Sequence, residues 1–134
     1  MLHPHQLQYF QGGLELGYFT EVNLKRVHQH LINLLQAGGT NIDDIAFCPH
    51  FDHQCDCRKP HPGLILKLAK KHRVDLAQSW MIGDRQTDIE AGIRAGCRTI
   101  KIGAPVSGAD YNCLNLQEAV NYILKTAKTT VHCC

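Results

Sequence analysis

The chain has 134 residues, of which 44% are hydrophobic and 19% charged, with a formal net charge of +2. That composition excludes a disordered chain, and so small a basic excess excludes a dedicated nucleic-acid binder, which needs many cations to displace counterions from phosphates. No apolar run reaches the roughly 18 residues that span a bilayer, and the start, Met1-Leu2-His3-Pro4-His5, lacks the basic and apolar regions of a signal peptide. A cytoplasmic protein is expected, with neither a nucleic-acid nor a membrane partner; its oligomeric state is not legible.

Residues 1–17 carry Gly12, Gly13 and Gly17 and no sustained period, so this stretch reads as irregular. Thr20-Glu21 then suits an N-cap with an acid in the first turn. Val27, Leu31, Leu34 and Leu35 follow at helical spacing up to Gly38-Gly39. Asp44 to Cys48 is a short apolar run read as a buried strand. Pro60-His61-Pro62-Gly63 opens a second helix carrying Leu64, Leu68 and Lys71. Ser79 to Gly83 reads as a buried strand. Ile89, Ile93 and Ala95 mark a third helix ending at Gly96, and Arg98 to Ile102 a third strand. Asn115-Leu116-Gln117-Glu118 resembles a capping box for a last helix through Lys125. Strands alternating with helices predict an α/β fold, a Rossmann-like parallel sheet with helices on both faces. Three strands are few for such a sheet.

Seven cysteines cannot all pair within one chain, and Cys48, Cys55 and Cys57 lie within ten residues. In a reducing compartment such a cluster more often binds metal than forms disulfides. With His50 it makes a Cys3His set, the composition of a closed structural zinc site; His53 and Asp52 are spare ligands. The competing reading is a chance cluster of reduced thiols. Cys97 reads as a small core residue, and Cys133 and Cys134 as a frayed end.

Cys57 runs into Arg58-Lys59-Pro60. Arg58 suits a forked contact to phosphate and Lys59 a point charge, although an isolated Arg-Lys pair reads as two solvated cations. Gly83-Asp84-Arg85-Gln86-Thr87-Asp88 places two carboxylates, four residues apart, where a buried strand turns into a helix. Ligands collect at that edge of parallel sheets. Asp84 suits a hard cation, with Asp88 bracing it or ligating through water; an N-cap Asp followed by a dipole-matched acid is the alternative.

Together, Cys48-Pro49-His50…Cys55-Asp56-Cys57-Arg58-Lys59-Pro60 and Gly83-Asp84-Arg85…Thr87-Asp88-Ile89…Ala91-Gly92 resemble the haloacid-dehalogenase-type phosphatases. The branch is that of D-glycero-D-manno-heptose 1,7-bisphosphate 7-phosphatase and histidinol phosphatase, and the resemblance runs from about Gly13 to Ile102, including Gly17 to Glu21. It implies magnesium-dependent hydrolysis of a phosphate monoester through an aspartyl-phosphate. In that reading Lys59 neutralises the phosphoryl group, Arg58 contacts substrate, Asp84 ligates magnesium, Asp88 supports that site, and Cys48, His50, Cys55 and Cys57 hold a structural zinc. The implied substrate is a small phosphorylated sugar of carbohydrate metabolism, the heptose bisphosphate losing its 7-phosphate, with histidinol phosphate as the alternative.

The family's nucleophile lies in an N-terminal Asp-x-Asp, whereas this sequence has no Asp before Asp43. Where the family carries Thr-Asn-Gln-Ser-Gly, the chain reads Tyr9-Phe10-Gln11-Gly12-Gly13. The resemblance therefore implies a single truncated domain over 1–134. Residues 1–12 are its atypical start, 48–57 the zinc loop and 115–134 the C-terminal helix and tail, with the first two family strands missing and the magnesium site weakened. A catalytically dead zinc-binding fragment and a zinc-stabilised interaction module are the competing expectations; an in-frame Asp-x-Asp upstream of Met1 would decide against both.

Overall fold

The computed structural model describes residues 7–8, 20–50 and 55–130, with side chains over 20–50 and 55–127. They fall into two compact units, Met1–Val74 and Asp75–Cys134.

The first unit contains β1 (Leu7–Gln8), α1 (Glu21–Ala37), β2 (Ile45–Ala46) and α2 (Gly63–His72). β1 runs parallel to β2, with Leu7 opposite Ile45 and Gln8 opposite Ala46. A strand therefore lies in the stretch whose sequence reads as irregular: two residues are too few to show alternation, and only the partner strand selects them. The α1 start is as expected, the Thr20 hydroxyl accepting the Asn23 N–H at 3.2 Å. Its inward face differs. Leu24 is buried and His28, Leu31, Ile32 and Leu35 are half-buried, while Val27 and Leu34 are 41% and 58% exposed. α1 carries more apolar residues than a single core-facing stripe can cover, and the packing selects the stripe centred on Leu24, Leu31 and Leu35.

α2 buries Leu64, Ile65, Leu68 and Ala69. It ends at Arg73, which adopts the left-handed conformation at φ 54°. Two of its last-turn basic side chains face Asp44: Lys71 Nζ lies 2.7 Å and His72 Nε2 2.6 Å from Asp44 Oδ2. Hydrogen bonds from these two side chains, Lys71 first, hold the Asp44 carboxyl down at about 2.

The second unit contains a 3-10 turn (Leu76–Gln78), β3 (Trp80–Gly83), α3 (Gln86–Ala95), β4 (Arg98–Ile102), β5 (Tyr111–Cys113) and α4 (Leu116–Thr130). Its sheet has the order β3-β4-β5, all parallel. β5 escapes the sequence reading because it is three residues long with Asn112 at its centre, and β4 alone makes it a strand. Successive side chains alternate across the sheet. Ile100 packs with Cys113, Ala119 and Ile123 under α4, joined by Trp80, Ile82, Ile102, Tyr111 and Tyr122. Met81 and Thr99 point the other way and meet α3 at Gly92. Helices thus cover both faces, as the α/β reading requires. α3 ends at Gly96 with φ 87°, a conformation that favours glycine. Asn115 Oδ1 accepts the Glu118 N–H at 2.9 Å, and the Glu118 carboxylate reaches back to the Leu114 N–H at 2.9 Å, one residue beyond a regular capping box. Cys97 is only half-buried, not core, while Cys113 is buried. Among the described residues, no helix is long and apolar enough to cross a membrane. Cys133 and Cys134 lie outside the described residues.

Candidate metal centre and carboxylate turn

In the first unit the chain leaves β2 through Cys48, which is fully buried. His50, Cys55 and Cys57 return to it. Cys57 Sγ lies 2.6 Å from Cys48 Sγ and 2.9 Å from Cys55 Sγ, and Cys48 and Cys55 are 3.1 Å apart. His50 Nδ1 lies 3.4 Å from both Cys48 Sγ and Cys57 Sγ. All four candidate ligand atoms fall within 4.8 Å of one another, so the four residues named from spacing converge and can hold a metal ion. Asp52 and His53 lie outside the described residues.

The donor set fits such an ion. Three sulfurs in contact cannot all be thiolates without a cation between them, because each charge repels the next. Burial, then the neighbouring sulfurs, pushes the Cys57 thiol up, and burial pushes Cys48 up. Cys55, accepting hydrogen bonds from Cys57 and Cys48, is drawn down to about 6. A tetrahedral zinc–thiolate edge is about 3.8 Å. The sulfur pairs are shorter than that edge and the sulfur–nitrogen pairs close to it, so an ion would part the sulfurs by about 1 Å.

Arg58 and Lys59 are half-buried directly after the last of these cysteines. Arg58 Nη1 donates to the His50 carbonyl at 3.4 Å. The His61 N–H reaches the Arg58 carbonyl and the Gly63 N–H the Asp56 carbonyl, each at 2.9 Å. A Cβ on Gly63 would collide with the Asp56 carbonyl, so only glycine lets α2 begin against the cysteine loop. The Arg58-Lys59 pair is thus suspended between the Cys/His cluster and the first turn of α2.

In the second unit the turn after β3 separates the two carboxylates. Asp84 is exposed at the strand's carboxyl end. Asp88, at 3% exposure, points inward and accepts the Arg85 N–H at 3.0 Å through Oδ2. A Cβ on Gly83 would fall inside the Asp88 side chain. Asp84 therefore presents its carboxylate to solvent, and Asp88 shapes the turn that carries it. The N-cap alternative holds in part: Arg85 caps α3, and Asp88 is its first-turn acid.

Two groups of this unit were missed by sequence reasoning, Lys101 at the carboxyl edge of the sheet and Asp110 at its amino end. Lys101, opposite Gly83 in the register, is buried and donates to the Ile102 and Ala104 carbonyls at 2.8 Å. Asp110 Oδ2 accepts the Thr99 N–H at 2.7 Å and its hydroxyl at 3.1 Å, tying the β4–β5 loop to the sheet. No local pattern signals either, because each depends on where the loop folds back.

Residues 56–115 match the family model described as HAD-hydrolase-like. The chain belongs to the haloacid-dehalogenase-type phosphatases, in the branch whose members include heptose-bisphosphate 7-phosphatases and HisB. It is 36% identical over 119 residues to the D-glycero-beta-D-manno-heptose-1,7-bisphosphate 7-phosphatase of Helicobacter pylori strain J99, covering 84% of this chain and 68% of that relative. It is 38% identical over 92 residues to the histidine biosynthesis bifunctional protein HisB of Blochmanniella floridana, covering 68% of this chain and 26% of that protein. A crystal structure of D,D-heptose 1.7-bisphosphate phosphatase from B. bronchiseptica, complexed with magnesium and phosphate, superposes with a TM-score of 0.81 at 29% identity. It matches 90% of this chain and 74% of the other. The chain spans about half the length of several curated relatives it matches.

Proposed function

We propose that the chain forms the metal- and phosphate-binding part of a phosphate-monoester hydrolase that removes the 7-phosphate of D-glycero-D-manno-heptose 1,7-bisphosphate. The observation that carries this reading is the continuity of the Cys48/His50/Cys55/Cys57 cluster with Arg58-Lys59, which hangs two cations on a loop that a metal ion would stiffen. Lys59 neutralises the phosphoryl group and its attacking oxygen, and Arg58 orients the phosphate by paired N–H donors. Asp84 offers its carboxylate to a magnesium ion, which when bound supplies charge neutralisation at the phosphate oxygens. Asp88 keeps Asp84 at the surface by fixing the Gly83–Arg85 backbone. A zinc ion at the cluster supplies rigidity alone, because three thiolates and an imidazole complete a tetrahedron. The partner is a small phosphorylated sugar. The cytoplasm is the proposed location, since three apposed thiols persist as ligands only in a reducing compartment.

A second reading is that residues 1–134 by themselves bind zinc and phosphate without hydrolysis, since none of residues 1–42 is an Asp that could be phosphorylated. Phosphate release from heptose bisphosphate and histidinol phosphate separates the two. The 134-residue chain alone is expected to be inactive. Joined to an upstream Asp-x-Asp segment from a relative, it should turn over heptose bisphosphate in preference, and Lys59→Ala should abolish that. Turnover of about 1 per second by the short chain, lost on Lys59→Ala, would show that another group is the nucleophile. No turnover by the joined chain would favour the second reading.

A further inference from the structure

The stretch from Asp44 to His72 is closed at both ends. At one end Cys48, His50, Cys55 and Cys57 converge, their candidate ligand atoms within 4.8 Å of one another. At the other end the Asp44 carboxylate joins the start of β2 to the last turn of α2. Its Oδ1 accepts the Ile45 N–H at 2.9 Å, and its Oδ2 lies 2.7 Å from Lys71 Nζ and 2.6 Å from His72 Nε2. Two arms of similar length connect the ends. From Asp44 to Cys48 the chain advances about 13 Å at the rise of a strand, and the ten residues of α2 span about 15 Å. The Gly63 N–H, bonded to the Asp56 carbonyl at 2.9 Å, seats the start of α2 on the ligand loop. Cys48 is therefore carried by β2, and Cys55 and Cys57 by the loop that α2 holds. Little else fixes β2. It is two residues long and, among the described residues, pairs with Leu7–Gln8 alone. The apolar face of α2, Leu64, Ile65, Leu68 and Ala69, supplies attraction without direction, whereas the Asp44 bonds fix where along α2 the start of β2 sits.

We propose that Asp44, with Lys71 and His72, is a positioning group for the metal centre: it locks β2 against α2, and so holds Cys48 in register with Cys55 and Cys57 without touching the ion. A ligand set already held in register loses less conformational freedom when an ion binds, so the lock raises the affinity for zinc. The coupling is reciprocal, and bound zinc strengthens the Asp44 bonds by the same factor. Arg58 and Lys59 lie inside the closed stretch, between Cys57 and α2, with Arg58 Nη1 donating to the His50 carbonyl at 3.4 Å. The same lock therefore sets where these two cations stand.

The proposal rests on the cluster's reading as a zinc site. The test measures the zinc Kd of the reduced 134-residue chain by competition with a chromogenic chelator, with circular dichroism to check that each zinc-loaded variant is folded. Asp44→Asn keeps the shape and an acceptor for the Ile45 N–H but removes the charge. It should raise the zinc Kd about fivefold, the upper range for an exposed ion pair. Lys71→Met with His72→Gln removes the lock from the other side and should do the same, and adding Asp44→Asn to that pair should change nothing more. Thr20→Ala is the comparison. It deletes the N-cap bond of α1 in the same unit, a comparable loss of stability away from both arms, and should leave the zinc Kd unchanged. A wild-type chain that takes up no zinc would overturn the metal reading and the proposal with it. A wild type that binds zinc no more tightly than Asp44→Asn would overturn the positioning role alone. So would a Thr20→Ala chain weakened as much as Asp44→Asn, because general stability would then account for the effect.

Discussion

Replacing Gly92 by alanine tests how α3 is seated on the sheet that carries Asp84 and Asp88. A Cβ at Gly92 would lie 2.7 Å from Met81 Cβ and 2.8 Å from Thr99 Cγ2. Both atoms sit close to strand backbone and cannot swing aside as the end of a long side chain would. Alanine gains about 1 kcal/mol over glycine in helix propensity. Against this, α3 must back away by about 1 Å to restore ordinary contact, which forfeits a quarter to a half of the dispersion attraction along the interface. The residues that lose it, Ile89, Ala91 and Ala95, are at most 7% exposed. Overpacking of this kind costs up to about 3 kcal/mol, so Gly92→Ala should lower stability by about 2 kcal/mol net of propensity. The chain's single tryptophan, Trp80, lies in this unit, and its fluorescence in a urea titration reads the midpoint there. Gly96→Ala is the comparison. It meets nothing within 4 Å but keeps φ at 87°, so it should cost about 1 kcal/mol through backbone strain alone. A Gly92→Ala chain as stable as the wild type would refute the close approach of α3 to β3 and β4.

Acid should weaken the first unit through Asp44. Its carboxyl is held at about 2 against an ordinary 3.8, so its contribution is present above about pH 4 and lost as pH falls from there toward 2. With Lys71 63% exposed and screened by water, that contribution is about 1 kcal/mol. Circular dichroism of wild type and Asp44→Asn between pH 2 and 7 should converge at the acid end; equal pH dependence in both would count against the ion pairs. Purified chain should carry about one zinc, lost in the Cys55→Ser/Cys57→Ser double variant; metal analysis finding less than half an equivalent in the wild type would contradict the site. Magnesium should bind the isolated chain with a Kd of about 1 mM or weaker, because Asp84 is a single exposed carboxylate and Asp88 is engaged with backbone. Micromolar binding by calorimetry would require ligands beyond these.

The sequence alone determined what depends on neighbours along the chain. Thr20, Gly38, Gly96 and Asn115 bound helices where their caps predict, because a cap needs only a few adjacent residues. β3 and β4 are legible because an apolar run, Trp80–Gly83, and a β-branched run, Arg98–Ile102, lie between turn signals and have few other fates. The metal cluster is legible for the same reason: its four ligands come from ten consecutive positions, and one loop brings them together. Tertiary structure decided what depends on distant partners. β1 and β5 are strands only because β2 and β4 lie beside them, and the apolar rows of α1 are equivalent until a core covers one of them. Asp44 meets Lys71 and His72 from 27 and 28 residues away, and Thr99 meets Asp110 across a loop. The same holds for the carboxylate turn, where the Asp84 and Asp88 pair is visible in the sequence but their division of labour is not. Asp88 turns inward because Gly83 leaves room for its side chain against the strand, and that room exists only once α3 has packed on β3.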